Sequence, residues 1–163
     1  IPRLSVTKPF QNYNDEPQSN ICIILVISLL LKLRKMKLEI KVVKNTGDGM
    51  VFNQRVNWCA IFLSWCANES GTMNNTIPRF SLCTDGVKWY KDHSKWKNKS
   101  YIPQTGDIIF FDWNGDGHVQ HVGIVEKVEN DKVYTIEGNS KDEVRNKNYS
   151  LTNKSIYGYG SVN

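Results

Sequence analysis

The sequence lacks the motifs of several large protein classes. Its four cysteines have no zinc-site spacing, and it contains no P-loop, dinucleotide fingerprint or internal repeat. The longest apolar stretch, residues 21–31, is far shorter than the ~20 residues that span a bilayer as a helix. These absences give no sign of a zinc site or of a nucleotide cofactor, and they argue against association with a membrane.

The excess positive charge is confined to the N-terminal part of the chain. Residues 1–45 contain eight Lys/Arg and three Asp/Glu, whereas residues 46–163 contain thirteen of each. Nucleic-acid binding by electrostatic attraction needs a basic surface. The balanced charge of residues 46–163 therefore argues against a nucleic-acid partner.

Residues 1–45 are predicted to be an atypical leader, separate from the domain formed by residues 46–163. Three prolines punctuate its polar first part, and the apolar stretch that follows has the length of a signal-peptide core. The acidic residues Asp15 and Glu16 precede that stretch, and no small-residue cleavage site follows it, so a working signal is not convincing. A membrane anchor or a non-native segment are the alternatives.

The periodicity of residues 46–163 changes from helical to extended along the chain. Apolar residues at helical spacing predict a helix from Trp58 to Ser70, with Asn57 as its N-cap and Gly71 as its stop. A second helix is expected from about Thr84 to His93. Strands are predicted at residues 108–113, 121–128, 133–137 and 155–162, with hairpin turns at 130–131 and 114–117. Helices followed by an antiparallel sheet indicate an α+β domain.

Cys59 and His121 are the residues most suggestive of chemistry. Cys59 lies at the predicted helix start, where free N–H groups and the helix dipole favour the thiolate, which is the nucleophilic form. His121 opens a strand and could act as the general base. Cys66 and Cys83, by contrast, are expected to be small buried hydrophobes.

Two residues are candidates for orienting the His121 ring. If the turn at residues 130–131 pairs the flanking strands, Glu137 comes near His121 and could accept a hydrogen bond from its imidazole. Asn139 could do the same as a neutral group, and the sequence does not separate the two. Gly123, on the same strand face as His121, is expected to leave open space for a substrate.

The segment from Asp112 to Gly117 spells the start of an EF-hand calcium loop. Such a loop needs a glutamate at its twelfth position, where this sequence has Gly123. A tight hairpin turn is therefore favoured over a metal site. Of the five tryptophans, most are expected in the core, while Trp58 and Trp113 flank the proposed site and could stack on a substrate.

Four segments together resemble the CHAP domain, the cysteine- and histidine-dependent amidohydrolase/peptidase family of bacterial and phage cell-wall hydrolases. They are residues 57–65 (NWCAIFLSW), 103–113, 121–126 (HVGIVE) and 134–140 (YTIEGNS), in the family's order. The resemblance implies a papain-like fold, with N-terminal helices packed on a small antiparallel sheet. It also implies Cys59 as nucleophile, His121 as base, and Glu137 or Asn139 as the third polar residue. Gln54 and Asn57, just upstream of the cysteine, become candidates for holding the oxyanion.

The function implied is cleavage of amide bonds in peptidoglycan, by an amidase or a peptide-bridge endopeptidase that needs no cofactor. Such an enzyme would act outside the cell or in the cell wall, and we expect a monomer. Two alternatives stay open: a non-catalytic or vestigial wall-binding module, and a cysteine protease acting on proteins.

Overall fold

The computed structural model describes residues 57–163. The predicted leader and Gln54 lie outside the described residues. Within residues 57–163, no helix is long and apolar enough to cross a membrane.

Within the described residues, two helices precede the sheet, close to where the periodicity placed them. Helix α1 spans Cys59–Ser70 and helix α2 spans Cys83–Asp92. Gly71 ends α1 in the left-handed conformation, at φ 72°, which glycine adopts without steric cost. The prediction of Asn57 as N-cap was wrong, because Trp58 occupies that position and makes no capping hydrogen bond. The Asn57 side chain instead accepts a hydrogen bond from Asn139.

One antiparallel sheet of six strands follows the helices in the described residues, which confirms the α+β class. Its strands lie in the spatial order β1-β6-β2-β3-β4-β5. Four of them match the predicted strands, whereas the sequence analysis missed β1 and β5. The strands are β1 (Trp96–Asn98), β2 (Ile108–Phe111), β3 (His121–Glu129), β4 (Lys132–Glu137), β5 (Arg145–Ser150) and β6 (Ile156–Gly160).

The two turns predicted beside β3 had different outcomes. Asn130 and Asp131 both have positive φ, at 51° and 58°, as a two-residue hairpin turn of type I′ requires. Residues 112–120, however, form a loop longer than a tight turn. Its Asp112 carboxylate accepts hydrogen bonds from the backbone N–H groups of residues 115, 116 and 117, which folds the loop back on itself.

Apolar side chains fill both faces of the sheet. One face packs Phe110, Val122 and Ile124 with residues of both helices, while the other buries Ile109, Phe111 and Val125 in a cluster that contains no helical residue from the described part of the chain. The expectation that most tryptophans lie in the core was wrong. Three are half-buried and two, Trp65 and Trp113, are exposed, because indole is large and its N–H group needs a polar partner.

Candidate active site

Cys59 is the first residue of α1 and is buried in the core between the helices and the sheet. Its pKa is lowered to about 5, chiefly by a hydrogen bond from the Cys83 thiol. Burial opposes this shift, whereas the nearby His121 ring and the backbone N–H of Ala60 reinforce it. A pKa below the neutral range favours the thiolate form of Cys59 at the helix start.

Cys83 has a larger role at this site than the sequence suggested. It is buried, as expected of a small hydrophobe, but its sulfur lies 3.7 Å from the Cys59 sulfur. The thiolate of Cys59 and burial raise the pKa of Cys83, so Cys83 keeps its proton. No sequence signal marks this pairing, because the two cysteines are separated by a loop and start different helices.

His121 is the first residue of β3 and pairs with Phe111 across the ladder. Its side chain is only 12% exposed, and its Nε2 lies 2.9 Å from Oε2 of Glu137. Burial works to lower the pKa of His121, but the Cys59 thiolate and the Glu137 carboxylate outweigh it and raise that pKa to about 9. Both neighbours therefore favour the protonated form of the His121 ring.

Glu137 ends β4 and is almost fully buried, at 1% exposure. Burial works to raise its pKa, but three side-chain hydrogen bonds and the His121 charge lower it overall. While Oε2 faces His121, Oε1 accepts from the hydroxyls of Thr135 at 2.6 Å and Tyr149 at 2.9 Å. Neither donor was predicted from the sequence. The strand alternation could have identified Thr135, because residues two apart on a strand share a face, whereas Tyr149 lies on β5, which was not predicted.

Glu137 and Asn139, the two candidates that the sequence left open, have different hydrogen-bond partners. Glu137 contacts the His121 ring, whereas Asn139 adopts a left-handed φ of 58° beyond the strand and donates to Asn57 Oδ1 at 3.3 Å. Asn57 and Asn139 thus join the start of α1 to the end of β4 beside the site.

The two tryptophans proposed to flank the site differ in accessibility. Trp113 is 44% exposed, stacks on Phe111 with ring centroids 4.6 Å apart, and lies 6.1 Å from the His121 ring. Trp58 is half-buried, and its indole N–H donates to Asp142 at 3.0 Å. Trp113 therefore presents the more open aromatic surface next to His121.

The space expected beside Gly123 is not open. A Cβ on Gly123 would lie 2.8 Å from Cγ of Glu137 and 3.3 Å from the Ile136 carbonyl oxygen. Gly123 is thus required for the close approach of the Glu137 side chain, and the prediction of free space for a substrate there was wrong.

Comparison with known proteins matches residues 47–139 to the CHAP domain. No match is found among curated proteins. The solved structure of Ly7917 is 19% identical, with a TM-score of 0.43, over 62% of this chain and 51% of that one. An NLP/P60 family protein similar to lipoprotein, from Staphylococcus aureus subsp. aureus Mu50, is 17% identical, with a TM-score of 0.45, over 98% of this chain and 45% of that one.

The chain spans about half the length of these two solved structures. The CHAP match covers more than half of the chain, from upstream of Cys59 through His121 to Asn139. This chain therefore belongs to the CHAP domain family.

Proposed function

We propose that this protein is a peptidoglycan hydrolase in which Cys59 and His121 cleave an amide bond. The observation that carries the proposal is the buried side-chain row in which Cys59 interacts with the His121 ring and that ring is hydrogen-bonded to Glu137 at 2.9 Å. Perturbed pKa values of this kind are what a nucleophile and its acid–base partner need.

The reaction would begin with attack of the Cys59 thiolate on the amide carbonyl carbon. Nε2 of His121 is hydrogen-bonded to Glu137. Its Nδ1 is therefore the nitrogen that would exchange protons with the Cys59 sulfur and the substrate. The imidazolium would give its proton to the leaving amine as the C–N bond breaks, which leaves an acyl group on Cys59. Neutral His121 would then take a proton from water, and the resulting attack on the acyl carbon would regenerate the thiolate.

Developing charge on the carbonyl oxygen would be stabilised at the start of α1. The first N–H groups of a helix have no intrahelical partner, so the backbone N–H of Cys59 is available to donate to an oxyanion. Gln54 and Asn57 remain the side-chain candidates for a second donor. These steps need only protein side chains and water, so the proposed chemistry calls for no cofactor.

The substrate assignment to peptidoglycan rests on the family, a group of cell-wall hydrolases and peptidases. The exposed face of Trp113 beside His121 offers a flat surface on which a sugar ring or a peptide of the wall could stack. We place residues 46–163 as the catalytic domain, residues 1–45 as a leader, and the site of action at the bacterial cell wall, with a monomeric enzyme.

The test compares wild type with Cys59→Ala and with a control, Cys66→Ala, on purified cell walls. Cys66 is buried in the same helix, two turns from Cys59. We expect wild type and Cys66→Ala to release new amino groups, and Cys59→Ala to release none. Mass spectrometry of the released muropeptides would show whether the bond is that of an amidase or an endopeptidase.

Equal release by wild type and Cys59→Ala would refute the proposal. Tight binding to walls without release, together with no labelling of Cys59 by iodoacetamide near pH 6, would favour a non-catalytic wall-binding module. Digestion of casein in preference to cell walls would favour a protease acting on proteins.

A further inference from the structure

Tyr149 reaches the site from the edge strand of the sheet. It lies on β5 opposite Val133 of β4, and its ring packs on Phe111 with centroids 4.7 Å apart. Its hydroxyl lies 2.9 Å from Oε1 of Glu137. The ring also lies 5.9 Å from Trp113, so one aromatic side chain contacts both the buried carboxylate and the exposed aromatic surface of the site.

The buried carboxylate of Glu137 depends on its donors to stay charged. A carboxylate removed from water takes up a proton unless hydrogen bonds or positive charges compensate the lost solvation. Oε2 is used by His121, so Oε1 relies on the hydroxyls of Tyr149 and Thr135. Both hydroxyls therefore favour the charged form of Glu137.

We propose that Tyr149 is a positioning residue that keeps Glu137 ionised and turned toward His121, and that it thereby contributes, alongside Cys83, to the pH at which the Cys59–His121 ion pair forms. This inference rests on the proposed function of that pair. Tyr149 itself touches neither the sulfur nor the reacting bond, and it acts through Glu137.

The chemistry of the phenol suits this task. Burial and the Glu137 charge raise the pKa of Tyr149, so the hydroxyl keeps its proton and donates across the whole neutral range. An ionised carboxylate only accepts hydrogen bonds, so the direction of this bond is fixed. The bond also holds the carboxylate in place, which leaves Oε2 facing the imidazole.

The experiment measures how fast iodoacetamide alkylates Cys59 as a function of pH, with the labelled peptide identified by mass. In Tyr149→Phe, Glu137 protonates more readily, His121 loses its anionic partner, and the thiolate loses the imidazolium that stabilises it. We expect the midpoint of Cys59 alkylation to move up measurably, by up to about one pH unit, because the loss of one hydrogen bond to a charged group acts on Glu137 and reaches Cys59 only through His121. Thr135→Val removes the other donor to Oε1 and should move the midpoint in the same direction.

Tyr134→Phe is the matched control, because Tyr134 lies on β4 against Lys127 and loses the same hydroxyl without touching Glu137. Its profile should superpose on that of wild type. A Tyr149→Phe profile that also superposes on wild type would overturn the inference while leaving the proposed function intact. A wild-type Cys59 that reacts only as an ordinary thiol would overturn both, whereas a shifted profile in a protein that cuts no cell wall would refute the hydrolase proposal alone.

Discussion

Replacing Gly123 by alanine tests whether the position of Glu137 matters. The added Cβ would lie 2.8 Å from Cγ of Glu137, so that carbon must retreat by about 0.7 Å to reach ordinary contact near 3.5 Å. The Ile136 carbonyl oxygen, 3.3 Å from the added Cβ, belongs to the backbone and cannot give way easily. The Glu137 side chain is therefore the part that moves.

The expected loss of activity follows from the hydrogen bond between Glu137 and His121, which this movement lengthens. A retreat of that size, if it carries the carboxylate away from the ring, lengthens the contact of 2.9 Å between Glu137 Oε2 and His121 Nε2 to about 3.6 Å, outside hydrogen-bond range. Loss of a hydrogen bond to a charged group corresponds to a fall in kcat/KM of about tenfold to a hundredfold. Overpacking should also lower the free energy of unfolding by about 1–3 kcal/mol.

The assays are denaturant unfolding, wall hydrolysis, and the pH profile of Cys59 alkylation. Gly160→Ala is the control. Gly160 lies on β6, and an added Cβ there would clash with the Tyr90 ring at 2.5 Å rather than with Glu137. Both variants should lose stability, but only Gly123→Ala should move the alkylation profile upward in pH. An unchanged profile and kcat/KM in a folded Gly123→Ala protein would refute the assignment of Glu137 as the group that orients His121.

Three further predictions concern the charges and the surface of the site. Wall hydrolysis should follow a bell-shaped pH profile with limbs near pH 5 and pH 9, because Cys59 is protonated below the first value and His121 loses its proton above the second. Cys83→Ala removes the thiol that donates to Cys59, so the midpoint of Cys59 alkylation should rise by about one pH unit. Trp113→Ala removes the exposed aromatic surface and should raise KM for wall fragments by about twofold to tenfold while kcat stays nearly constant.

Each of these predictions has a result that would contradict it. A rate that keeps rising above pH 9 would show that the protonated imidazole is not required. An unshifted alkylation midpoint in Cys83→Ala would assign the low pKa of Cys59 to His121 and the helix start alone. Trp65→Ala, which removes another exposed tryptophan, is the control for Trp113→Ala, and an equal effect of the two variants on KM would remove Trp113 from substrate binding.

The sequence by itself predicted the elements that have a strong local pattern. Apolar residues at helical spacing placed α1 within one residue of its observed start, and Gly71 marked its end. Alternating apolar residues and the turn at Asn130-Asp131 predicted the β3–β4 hairpin, which is what brings His121 and Glu137 to the same end of the sheet. The order of the Cys59, His121 and Glu137 segments was also enough to recognise the family.

Only the tertiary structure decided which side chains share the site. Strand β5 has the polar sequence of an exposed edge strand, so no hydrophobic pattern predicted it. The role of Tyr149, which lies on that strand, could therefore not be predicted either. The contact of Cys59 with Cys83 and the filling of the space at Gly123 by Glu137 depend on packing between segments far apart in the chain. Local patterns encode helices and hairpins because neighbouring residues determine them, whereas the pKa values of Cys59 and His121 are set by charges and donors that meet only after the helices pack on the sheet.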